Sequence, residues 1–253
     1  MFDLGDPYYN EKRIALTANA EAMVEELLVS DYGEHNMMVY SNRRAFRQLY
    51  SRYCREVLVE RTSNSSANEM ILIISYYDTI SSIGYVLRRI GIDLDKCQAD
   101  KSITLMDSVT AYSCPVHHQT CLDNNNDKKN DNNTDNGIWA ANKDCETPDL
   151  RPPFHFYYRP YRILSLVGSL LQSMENIGMN GLCVIADMGS FYLLDRVEEL
   201  VDYECSYAPK FDKEMRVKAF CCHHRQEITR GLTQEEQTKI LGHHNRHLLL
   251  TSS

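Results

Sequence analysis

The stretch Asn68 to Ser108, NEMILIISYYDTISSIGYVLRRIGIDLDKCQADKSITLMDS, decides the fold. Its apolar run from Met70 to Ile74 is unbroken, which is what a strand covered on both faces of a parallel sheet requires. A helix is expected over about 80–90, closed by Gly91, and SITLMDS then reads as the next strand. Strand, helix, strand in one direction is a parallel crossover unit, and such connections are right-handed.

The same rhythm extends outward. Upstream, NMMVY is a short strand, and Phe46, Leu49, Tyr50, Tyr53, Val57 and Leu58 make the apolar stripe of a following helix. Residues 10–30 place Ile14, Met23, Leu27 and Leu28 near helical spacing, so a helical extension over 1–32 is expected before the main fold at 33–253. Downstream, GLCVIADM (181–188) and VKAFCC (217–222) are strands, Tyr161 to Ile177 and about Leu193 to Tyr203 are helices, and HLLLT closes the set. A last helix opens at Thr233, with Glu236 three residues on in capping-box spacing. Strands alternating with helices predict an α/β, three-layer fold, with a mostly parallel central sheet and helices on both faces.

Residues 114–153 break the pattern. From Leu122 to Gly137, eleven of sixteen residues are Asn or Asp, and such a stretch cannot offset its ordering entropy by burial. It is expected to be a disordered insertion within one domain.

The formal net charge of −8 disfavours a phosphate backbone as partner, since nucleic-acid binding draws on clustered Lys and Arg. No apolar run approaches the roughly 20 residues that span a bilayer, and the N-terminus lacks a leader pattern, so neither direct nucleic-acid nor membrane binding is expected and the location is read as cytoplasmic. Nine cysteines are an odd number. Cys54, Cys183 and Cys221 lie in apolar segments, where a reduced thiol acts as a small hydrophobe.

The succession YGEHNMMVYSN, ILIISYYDTISSIGYVLRRIGIDLDK, ITLMDS, GLCVIADMGSFYLLDRVEELVDYE and VKAFCCHHRQEI resembles the MEDS domain, a methanogen/methylotroph sensory domain of the DcmR type. The Gly33-x-His35 start with Tyr40 behind it is the most specific part of the likeness, which runs from Gly33 to about Leu250 apart from the insertion. The resemblance implies a relative of the RecA/KaiC-type ATPases without the Walker A loop. It also implies a sensory or regulatory module for small organic molecules such as hydrocarbon derivatives. No helix-turn-helix or kinase signature is present, so a signal would pass through a partner such as a kinase or a transcriptional regulator.

A P-loop needs glycines, so that consecutive N–H groups converge on phosphate. YSNRRAFRQ has none, and Arg43 and Arg44 at a helix start read as solvated charges. Asp187 occupies the place of a Walker B aspartate, or else caps the turn that follows; Asp107 and Ser108 admit the same two readings. Ligands of open parallel sheets settle outside the strands' carboxyl ends. The expected ligand-binding set is therefore Tyr40, Ser41, Tyr76, Tyr77, Asp107, Ser108, Asp187, Met188 and His223, with His224 beside it at the same edge and His35 just before the first strand. Tyr76 and Tyr77 are neighbours, so only one can face a given side.

No catalytic residue, cofactor or metal is expected. His243 and His247, the CCHH run, and Cys114, His117, His118 and Cys121 could offer zinc donors, but read as ordinary surface or core residues. Glu204 reads as solvated. Two competitors stand beside the sensory reading: a divergent ATP hydrolase or phosphotransferase using Asp187 and Asp107 with magnesium, and a purely structural interaction module.

Overall fold

A computed structural model describes residues 15–60, 68–115, 156–158, 161–207 and 215–251. Its central feature is a seven-stranded sheet in the order β1-β9-β2-β8-β7-β3-β4, with every neighbouring pair parallel. The strands are β1 (Ala15–Ala18), β2 (His35–Tyr40), β3 (Glu69–Ser75), β4 (Ile103–Asp107), β7 (Gly181–Asp187), β8 (Val217–His224) and β9 (His247–Leu250). A separate antiparallel pair, β5 (Ser113–Pro115) with β6 (Phe156–Tyr158), lies at the base of the segment between them. The predicted disordered insertion, with His117, His118 and Cys121, lies outside the described residues.

The helices are α1 (Ala20–Val29), α2 (Arg43–Arg55), α3 (Ile80–Arg89), α4 (Leu94–Ala99), α5 (Ser108–Tyr112), α6 (Tyr161–Ile177), α7 (Gly189–Leu193), α8 (Val197–Tyr207), α9 (Arg225–Gly231) and α10 (Gln234–Gly242). A π-helical turn, Glu56–Glu60, continues α2. Right-handed connections assign each helix to a face. The chain moves one way across the sheet from β1 to β4, which puts α1 to α4 on one face. It returns from β4 to β9, which puts α5 to α10 on the other.

Two hydrophobic cores match this division. One joins α1–α4 to Met38, Tyr40, Ile71, Ile73, Cys183, Ile185, Phe220 and Cys222. The other joins α5–α10 to Met37, Val39, Met70, Leu72, Leu182, Val184, Ala219 and Cys221. Alternate residues of each strand go to opposite faces, so β3, β7 and β8 had to be apolar almost throughout.

Two expectations change. The helix read over 10–30 is a strand followed by a helix: Ala15–Ala18 pairs with His247–Leu250, and the Asn19 side chain accepts the N–H groups of Glu21 and Ala22, so α1 begins at residue 20. Both elements belong to the sheet and its first helical layer. The helix read over about 193–203 starts later, as α8 at Val197, and a short α7 not foreseen ends at Leu193, with Asp195 at φ 56° between them. At the other predicted boundaries the chemistry holds. Gly91 sits at φ 90° after α3, and Thr233 and Glu236 form both bonds of the capping box.

Gly33, at φ 87°, donates its N–H to Val217 O at 2.7 Å. That bond sets β2 in register with β8. No helix among the described residues is long and apolar enough to cross a membrane.

Candidate functional site

Asp187 is the hub of the strands' carboxyl edge. It ends β7, is 1% exposed, and is held by four donors. Tyr76 and Tyr77 N–H donate to Oδ2 at 3.3 and 3.4 Å, Gly189 N–H donates to Oδ1 at 3.0 Å, and the Tyr40 hydroxyl donates to Oδ1 at 3.4 Å. The loop after β3 is thereby fastened to β7. A Cβ at Gly189 would stand 2.9 Å from Tyr77 Cε2, so only glycine lets the backbone come this close. Burial pushes the Asp187 carboxyl up to about 7, against the pull of the Gly189 and Tyr76 N–H groups, the Tyr40 hydroxyl and Arg43.

Aromatic rings line this edge. Tyr40 stacks on Phe46 at 4.5 Å and meets His224 edge-on at 5.3 Å. Tyr77 lies against Tyr76 at 5.3 Å and His224 at 6.1 Å. The Arg43 guanidinium sits 3.7 Å from the Tyr77 ring centroid, a cation–π contact. Arg47 and the Tyr50 hydroxyl both bond Asp78, which fixes the loop carrying Tyr76 and Tyr77. Two buried polar atoms at this edge have no hydrogen-bond partner among the described residues: the Tyr77 hydroxyl and Glu227 Oε2. Burial pushes Glu227 up to about 7, with Arg43 pulling the other way.

The α2 start, where a phosphate cradle would lie, is already capped. Asn42 Oδ1 accepts the N–H groups of Arg44 and Ala45 at 2.8 and 3.4 Å.

Tyr40, Tyr76, Tyr77 and Asp187 thus come together as predicted, with exposed Ser41 beside them. Asp107 caps α5 by accepting Thr110 N–H at 2.8 Å. Ser108 is buried and ties two strand ends together, with Oγ donating to Asp187 O at 3.2 Å and bonding the Ser190 hydroxyl. Met188 is fully buried in the core of the second face. His35 and His223 do not join the edge, because their strand positions turn them to the face opposite Tyr40, under α8. His224, expected at this edge beside His223, does join it, whereas Arg43, Phe46 and Glu227 were missing from the predicted set. The signal for Glu227 was its place one helical turn past the end of β8.

Under α8 lies a second cluster. Glu204, expected to be solvated, is completely buried. Its Oε2 lies 3.4 Å from His35 Nε2 and 3.3 Å from His244 Nε2, and its Oε1 lies 3.4 Å from His223 Nε2. His35 Nε2 is also 3.0 Å from Cys221 Sγ, and the His35 and His244 rings stack at 4.2 Å. Burial raises the Glu204 carboxyl, but His244, His223 and His35 outweigh it and hold the group well below its ordinary range. Burial and His244 lower His35 to about 3.

A cavity of about 430 Å³ opens at the amino ends of β3 and β4, lined in part by Val57, Leu58, Ile92, Lys96, Cys97 and Met179. Its neighbouring acids are engaged: Asp93 caps α4, Asp100 accepts Ser102 N–H, and Glu69 pairs with Lys218 at 3.2 Å. It therefore presents no convergent unpaired acid to a ligand.

The fold is an α/β domain with an all-parallel central sheet, and its strand carboxyl ends carry an aromatic-lined candidate site. Neither a protein-family model nor a curated protein matches the chain.

Proposed function

We propose that this chain is a non-catalytic sensory or regulatory domain that binds a small, partly apolar organic molecule at the carboxyl edge of its sheet. The observation that carries the reading is the pair of unpartnered buried atoms, the Tyr77 hydroxyl and Glu227 Oε2, beside the rings of Tyr40, Phe46, Tyr76 and His224. Buried polar groups normally find partners, and a ligand donor or acceptor would supply them here, with the rings covering its apolar part. The Asn42 cap on α2 and the four donors on Asp187 also favour this reading, since they engage the groups that phosphate and magnesium would need. The likeness to the MEDS family points the same way.

The output would pass to a signalling protein, such as a kinase or a transcriptional regulator. Free thiols at Cys54, Cys97, Cys183, Cys205, Cys221 and Cys222 suit a reducing, cytoplasmic setting.

Thermal-shift measurements with a panel of hydrocarbon derivatives, ATP and ADP test the proposal. A ligand at 100 times its Kd stabilises the native state by about 2.7 kcal/mol. Organic compounds should raise the melting point, Tyr77→Ala should abolish the rise, and magnesium-ATP should have no effect. Stabilisation by magnesium-ATP that is lost in Asp187→Ala would refute it.

One observation favours an enzyme instead. Asp187 and Glu227 are both lifted to about 7 and both feel Arg43, and carboxyls that hold protons near neutrality can serve general acid–base chemistry. Turnover of a nucleoside triphosphate that disappears in Asp187→Ala would establish that alternative.

A further inference from the structure

We infer that His35, Glu204, Cys221 and His244 form a buried binding site for a divalent, zinc-type metal ion. The four residues come from β2, α8, β8 and the turn between α10 and β9, and their donor atoms lie within 4.8 Å of one another. Two ligands each about 2.1 Å from one tetrahedral ion stand about 3.4 Å apart. The observed separations are 3.4 Å for His35 Nε2 to Glu204 Oε2, 3.3 Å for His244 Nε2 to Glu204 Oε2, and 3.0 Å for His35 Nε2 to Cys221 Sγ. Two imidazoles, a carboxylate and a thiolate are a donor set that zinc accepts.

The tautomer of His244 strengthens the inference. Its Nδ1 is 2.8 Å from Ile240 O; a carbonyl only accepts, so Nδ1 carries the hydrogen. Nε2 is then the ring nitrogen left to bind a metal, and it faces a Glu204 oxygen at 3.3 Å. A metal ion between the two would be held by both. Glu204 Oε1 and Oε2 and His244 Nε2 are accordingly buried without a hydrogen-bond partner.

The outer contacts fit the same arrangement. His35 bonds the backbone of His243, and His223 contacts the second oxygen of Glu204 while its Nδ1 meets the Tyr192 hydroxyl at 2.9 Å. Partners of this kind orient metal ligands. With four protein donors and full burial the site is closed, as structural zinc sites are. On binding, the Cys221 thiol releases its proton to solvent and the sulfur bonds the metal. The ion pins α8 and the α10–β9 turn to the sheet.

Elemental mass spectrometry of the full chain, purified without chelators or immobilised metal, should find about one zinc per chain. Cobalt(II) added to chelator-stripped protein should give the visible bands of a tetrahedral ion and a thiolate-to-metal charge-transfer band. Cys221→Ser should remove the charge-transfer band. Cys222→Ser, one residue along on the other face, should leave both band sets intact. Tyr192→Phe should weaken zinc binding roughly 10- to 100-fold, as loss of an outer partner does. Wild-type protein that carries no stoichiometric metal and gives no cobalt spectrum would overturn the inference. A charge-transfer band that survives Cys221→Ser would overturn it too.

Discussion

Replacing Asp187 with asparagine should remove one component of the pH dependence of stability. Burial lifts this carboxyl to about 7 from 3.8, so between those values the native state holds a proton that the unfolded chain has released. A raised folded pKa contributes stability that is fully present below the unfolded value and is lost as pH rises through the folded one. The separation of those two values corresponds to about 4 kcal/mol over the whole window. About 2 kcal/mol of it falls between pH 5.5 and 8.

The neighbours that also respond are Glu227, raised, and His224, lowered by burial and Arg43. Both remain in the variant, so the difference between the two proteins isolates Asp187. Urea unfolding of wild type and Asp187→Asn at pH 5.5 and pH 8 measures it. Asparagine cannot satisfy every donor around the carboxylate, so the variant should be the less stable at pH 5.5, and the gap should shrink by about 2 kcal/mol at pH 8. Parallel profiles for the two proteins would show that this carboxyl does not hold its proton in the fold, and the reasoning would fail.

Three further expectations concern packing and caps. Lys218→Met should cost about 3–5 kcal/mol in urea unfolding, because Lys218 Nζ pairs with buried Glu69 at 3.2 Å and donates to Leu27 O at 2.8 Å; adding Glu69→Gln should recover part of the loss. Gly181→Ala should destabilise by about 1–3 kcal/mol, since its Cβ would stand 2.1 Å from the Tyr32 ring, and a double-mutant cycle with Tyr32→Ala should show strong coupling. Thr233→Ala removes one arm of the capping box, in which Thr233 N–H donates to Glu236 Oε2 at 2.7 Å and Glu236 N–H to Thr233 Oγ1 at 3.3 Å; calorimetry should register a loss of about 1 kcal/mol.

The central strands were legible because burial on both faces leaves no room for polar alternation: β3 and β7 read as apolar runs for that reason. The four residues of β1 carry no such mark and take strand form from β9, more than 200 positions away. At the carboxyl edge, Tyr40, Tyr77 and Asp187 were legible from the general habit of open parallel sheets. Arg43 was not, because its partner ring belongs to another strand's loop and only the fold brings the two together. Glu204 was hidden for the same reason. Its four neighbours come from β2, β8 and the turn before β9, and an acid in a helix read alone has the look of a solvated one.

The position of β2 bears on how the chain is made. Its two hydrogen-bonding neighbours, β8 and β9, both lie near the end of the sequence, so β2 leaves the ribosome long before either exists. At about 5–20 residues per second, the roughly 180 residues from β2 to β8 take about 10–40 s to synthesise. Over that interval the nascent segment offers two unpaired strand flanks and an apolar helix stripe, the kind of surface that other chains can pair with before the sheet is complete.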